Sequence, residues 1–81
     1  MIKTGEKRMD KEFYKKVGDI IKEKRKERRL TQAQMAKLLD MPTSTLSCYE
    51  AGLRGMELDT FFVICRFLDI DPNDVQKRLK R

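Results

Sequence analysis

Thr43, Ser44, Ser47 and Cys48 recur at helical spacing and share one helix face with Ala51. All are short, and three carry a hydroxyl. A helix with such side chains fits the major groove of double-stranded DNA, which is about 12 Å wide. Hydroxyls donate or accept and pair with several bases. No Arg, Asn or Gln stands on this face to grip one base with two hydrogen bonds. Readout would therefore lean on methyl contacts, water and DNA shape. A solvated helix face is the plainer reading of the same residues.

Other chemistries find little material. The 81 residues contain no His, which removes the commonest general base and metal ligand. The two cysteines, Cys48 and Cys65, form no CxxC. No Gly-rich phosphate loop, metal-ligand spacing or paired nucleophile and base is present, so we expect no enzyme, no cofactor and no metal. Cys48 suits a thymine methyl, and Cys65 a small core position. No apolar run approaches the roughly 20 residues of a membrane span, and residues 1–11 lack the apolar stretch of a signal peptide. The expected compartment is the reducing cytoplasm.

The net charge of +6 is uneven. Residues 15–29 hold eight Lys or Arg against three acids, whereas residues 30–70 hold three against five. Positive flanks around a neutral centre suit a polyanion such as DNA.

The elements that must position these residues are helices. With four Gly and two Pro among 40% apolar and 40% charged residues, the chain reads as all-α. Residues 1–11 read as a flexible basic arm, and residues 12–79 as one domain. Phe13, Val17, Ile20, Ile21 and Lys24 line one face of a first helix over about 11–29. Thr31 and Gln34 form a capping box that opens a second helix, about 32–39. Asp40-Met41-Pro42 breaks it. A third helix starts at Thr43 or Ser44 and stops at Gly52. A fourth runs from Leu58 or Asp59 to Leu68, with Leu58, Phe61, Ile64, Cys65 and Leu68 as its core stripe. Asp71-Pro72 opens a fifth, about 72–79.

Helices two and three are short and joined by about four residues, so they must cross steeply. Met35, Leu39, Met41, Leu46 and Tyr49 fill the angle, and Ala36 lets the backbones approach. At this level the chain resembles the Cro/repressor-type (XRE) helix-turn-helix family. The likeness lies in VGDIIKEKRKERRLTQAQMAKLL, STLSCYEAG and LDTFFVICRFLDIDPNDV, over about residues 17–75. It implies a five-helix, lambda-repressor-like DNA-binding domain with helices two and three as the DNA-binding unit. It also implies dimers on two-fold symmetric operators.

The resemblance further implies that Gln32, with Thr31 beside it, reaches a phosphate and braces the reading helix. Thr43, Ser44, Ser47 and Cys48 match positions at bases or phosphates, and Arg54 matches a phosphate contact. Arg25 and Glu50 match an ion pair that ties helices one and three, and Arg25 is also expected to lean on the DNA backbone. Four residues depart from the pattern. Arg29 and Asp40 stand where residues tolerant of positive φ are usual. Met56 replaces a common Pro, and Cys48 a longer polar side chain.

Val63 and Phe67 are spaced four apart off the core stripe of helix four. With Phe62 and Ile70 they form an expected homodimer seam. Two functions follow: a sequence-specific DNA-binding regulator, or a protein-interaction module such as an antitoxin that binds a toxin.

Overall fold

The computed structural model describes the backbone of residues 3–79 and the side chains of residues 12–78. Five helices follow in order: α1 Lys3–Glu27, α2 Gln32–Leu38, α3 Thr43–Ala51, α4 Leu58–Leu68 and α5 Pro72–Leu79. There is no strand among the described residues.

Helix α1 departs most from the sequence reading. It begins at Lys3 and not near residue 11, so helical backbone runs through most of the expected arm. Glu6, Lys7, Arg8, Met9 and Lys11 are good helix formers, and Gly5 alone costs about 1 kcal/mol. The structure of residues 1–2 and the side chains of residues 1–11 lie outside what is described.

Helices α1 to α4 end in one way. A residue at or just past the C-cap turns left-handed: Arg29 (φ 59°), Asp40 (58°), Gly52 (72°) and Asp69 (59°). The next N–H then reaches back five residues, as in Leu30 to Arg25 O, Met41 to Ala36 O, Leu53 to Cys48 O and Ile70 to Cys65 O. This closure satisfies carbonyls that a helix end leaves open. Glycine adopts it without strain, yet only α3 uses glycine. Arg29 and Asp40 adopt positive φ as their departures from the family pattern require; Asp69 was not foreseen.

The core joins Val17, Ile20 and Ile21 of α1 to Met35 and Ala36 of α2, and to Leu46 and Tyr49 of α3. Ile64, Cys65 and Leu68 of α4, Ile70 and Val75 complete it. Helix α1 packs against α3, α4 and α5, while α2 packs on α3. Two apolar stripe residues stay exposed: Phe13, at 47%, and Leu58, the first residue of α4, at 68%. Both line an apolar cleft beside Tyr14 and Tyr49. An exposed Arg78–Glu23 pair links α5 to α1, and such pairs contribute little.

Candidate nucleic-acid interface

The interface is built from two short helices and the turn between them. Thr31 opens α2. Its Oγ1 accepts the Gln34 N–H at 3.0 Å, while the Thr31 N–H donates to Gln34 Oε1 at 2.9 Å. The cap fixes the start of α2 and with it Gln32. At the other end, the left-handed Asp40 reverses the chain into Met41-Pro42. Pro42 is the N-cap of α3 and offers no side-chain cap, so its carbonyl takes the Thr45 and Leu46 N–H groups.

Helix α3 divides cleanly. Leu46, Tyr49 and Glu50 face inward and are buried. Thr43, Ser44 and Ala51 are exposed, and Ser47 and Cys48 are half-buried. These five side chains lie on the outward side of α3, with Ser47 and Cys48 the more enclosed.

A buried polar network holds the inner side. Arg25 is 6% exposed and Glu50 4%. The Arg25 guanidinium donates from Nε to Glu50 Oε2 at 2.7 Å and from Nη2 to Glu50 Oε1 at 3.0 Å. Its Nη1 donates to the Leu30 carbonyl at 2.7 Å. Gln32 Nε2 adds a fourth bond, to Glu50 Oε1 at 3.0 Å. No buried side-chain nitrogen or oxygen among the described residues lacks a partner. The fork-to-fork geometry is the favourable one for a charge pair out of water. The network ties the end of α1, the start of α2 and the end of α3 into one unit.

This placement bears on two expectations. Arg25 is enclosed and committed on three nitrogens, so its geometry fits a brace and not a backbone phosphate contact. Gln32 is half-buried and joins the brace. Arg54 lies exposed in the loop after α3, with its guanidinium carbon 5.4 Å from the centre of the Tyr49 ring. There it borders an apolar cleft of ≈ 240 Å³ shared with Tyr14, Met56 and Phe61. The stacking of Arg54 on Tyr49 had no sequence signal.

The expected dimer seam comes together only in part. Phe62 and Val63 are 48% and 49% exposed on α4. Phe67 is half-buried against the core. Ile70 is 8% exposed and belongs to the core, drawn in by its N–H bond to the Cys65 carbonyl. It cannot face a partner.

The surrounding charge is positive along α1. Lys15 pairs with Asp19 and Lys24 with Glu27. Lys16, Lys22, Lys26, Arg28 and Arg29 make no ion pair among the described residues, and the last two adjoin the start of α2. Cys65 is buried, and desolvation with the nearby Asp71 carboxylate pushes its thiol up from the ordinary value. No three His, Cys, Asp or Glu side chains gather as a metal site among the described residues. No described helix is long and apolar enough to cross a membrane.

The comparisons with known proteins agree with this architecture. A family model described as helix-turn-helix matches residues 21–75, which span α2 to α4, the last two turns of α1 and the first half of α5. Over 59 residues, 73% of the chain, the sequence is 41% identical to the ImmF control region 10 kDa protein of Bacillus phage phi105. The match spans 66% of that protein's own length, just under two thirds. No solved structure matches the chain.

Proposed function

From the premise that the chain belongs to the XRE-type helix-turn-helix family, and so is a DNA-binding transcriptional regulator, we propose that it represses from a two-fold symmetric operator, read as a homodimer. The observation that carries this reading is α3 itself. Its inner face is locked by Arg25, Glu50 and Gln32, and its outer face presents Thr43, Ser44, Ser47 and Cys48 as one surface. Rigid support behind a short polar face is what groove insertion needs.

Roles divide by chemistry. The hydroxyls of Thr43 and Ser44 reach base edges or phosphates first, being most exposed. Ser47 and Cys48 lie deeper and supply close contact, with Cys48 against an apolar group. Thr31 and Gln32 at the start of α2 and Arg54 after α3 flank the groove at the phosphates. The Thr43 and Ser44 N–H groups that open α3, which Pro42 leaves without a side-chain cap, suit an anion. Unpaired cations of α1 supply a field that needs no exact register. The seat of this activity is wherever the DNA is, the cytoplasm of a bacterial host. The likeness to a phage control-region protein supports a control role of the same kind.

Pairing of two copies would run through Phe62 and Val63 with the open edge of Phe67. Half-sites would then lie about 34 Å, one helical turn, apart. The same exposed apolar face favours one second reading, a regulator that also binds another protein such as a toxin.

The test is selection of bound duplexes from a random pool, followed by affinity against salt. A palindromic consensus and a steep negative salt slope are expected. Weak binding with no enriched sequence would overturn the reading. Sedimentation of Phe62→Glu against the parent tests the pairing: a dimer unaltered by the charge excludes this seam.

A further inference from the structure

Gly18 stands in the middle of α1, where glycine costs about 1 kcal/mol relative to alanine. It is buried, and the reason is contact with α3. A Cβ at Gly18 would lie 2.4 Å from the Tyr49 carbonyl oxygen and 2.5 Å from that of Glu50. The contact is reciprocal. A Cβ at Gly52 would lie 2.6 Å from Lys15 Cα and 2.8 Å from Lys15 N. Further along, a Cβ at Gly55 would meet the Tyr14 hydroxyl at 2.7 Å. The Tyr14–Gly18 stretch of α1 thus receives the end of α3 backbone against backbone, and then the loop that carries Arg54.

We infer that this stretch of α1 is the seat that sets the tilt of α3 in the groove, with Gly18 as a positioning residue for base recognition. The inference rests on the reading of α3 as the base-contacting helix. Glu50 is held twice: its carbonyl at Gly18, and its carboxylate by Arg25, about two turns further along α1. Both contacts fall at the C-terminal end of α3, so that end is anchored against α1 and the rest of the helix swings from it. The reading residues run from Cys48, beside this anchor, to Thr43, about 10 Å from Glu50 for seven residues at 1.5 Å each. Ordinary contact for a Cβ begins near 3.4 Å, so alanine at Gly18 forces a retreat of about 1 Å from the 2.4 Å approach. Hydrogen bonds to base edges tolerate only a few tenths of an ångström. Phosphate attraction depends on the field and survives such a shift. The signature is lost discrimination with retained general DNA affinity.

The experiment compares the full chain with Gly18→Ala and Val75→Ala, on the selected duplex and on unrelated duplex, well below each melting temperature. Val75 is a buried α5 residue and serves as a control for lost stability alone. Gly18→Ala is expected to lower the ratio of specific to general affinity about tenfold or more, with general affinity held within about threefold. Val75→Ala is expected to keep the ratio. An unchanged ratio in Gly18→Ala, or an equal loss in Val75→Ala, overturns the inference. If circular dichroism finds Gly18→Ala unfolded, Gly55→Ala decides, because the atoms nearest its Cβ belong to the Tyr14 ring, a side chain that can yield. It presses on the same seat from the loop end, so the ratio of specific to general affinity is again expected to fall; an unchanged ratio overturns the inference. Failure of the parent chain to select any duplex defeats the base-reading assignment itself, and is seen before any variant is made.

Discussion

Removing the Glu50 carboxylate while keeping Arg25 should be among the most damaging single changes in the core. The variant is Glu50→Ala. Glu50 accepts two bonds from Arg25 and one from Gln32, and both charged groups are at least nine-tenths buried. The change leaves a guanidinium in the interior with only the Leu30 carbonyl as partner. Breaking a buried pair in this way costs about 3–5 kcal/mol. A domain of this size has about 4–12 kcal/mol in total, so the variant should lose about a quarter or more of its stability. Replacing both charges is a different case. Arg25→Met with Glu50→Leu strands no ion and leaves only the Leu30 carbonyl and the half-buried Gln32 to find water, a residual of about 1 kcal/mol. Urea unfolding followed by helical circular dichroism measures both. A loss under about 1 kcal/mol in Glu50→Ala, or a double variant as weak as the single one, would refute the brace.

Other outcomes follow from the same geometry. Thr31→Ala removes the Oγ1 that accepts the Gln34 N–H, leaves the backbone bond to Gln34 Oε1, and should cost about 1 kcal/mol in the same urea titration. Arg29→Gly relieves a left-handed residue and should raise stability by up to about 1 kcal/mol, with Asp40→Gly gaining less because Asp tolerates that region better. Its check is the thermal midpoint, which should rise and not fall. With its thiol buried and held protonated, Cys65 should resist alkylation in the native protein while Cys48 reacts. Mass spectrometry of singly labelled chains would reveal the reverse order. Arg54→Ala should weaken binding to all duplexes alike and lower the salt slope by about one, as titration on two unrelated sequences would reveal.

Periodicity and caps carried most of the architecture. The start of α2, both ends of α3 and the start of α5 follow from Thr31, Pro42, Gly52 and Asp71-Pro72, because each acts on its own neighbours. The start of α1 was not legible, since a charged run of helix formers has no apolar period to count. Leu58 and Phe13 fit their stripes yet stay exposed, because a stripe gives direction and not how far the neighbouring helix extends. Ile70 looked like surface beside Phe67, but the closure at Asp69 turns it inward. Gly18 carries no sequence signal beyond glycine's cost in a helix: that its missing side chain admits the backbone of α3 is a fact about two segments far apart in the chain.

That α1 supports the other helices has a consequence for synthesis. Arg25 and its partner Glu50 are 25 residues apart. At about 5–20 residues per second, the ribosome delivers Glu50 roughly one to five seconds after Arg25. A helix forms and melts in about a microsecond, so α1 samples its fold very many times before anything arrives to hold it. During that interval Val17, Ile20 and Ile21 have no partners, and the dense Lys and Arg around them keep the nascent segment soluble. The reading helix enters the cell after its support, and needs only to settle on it.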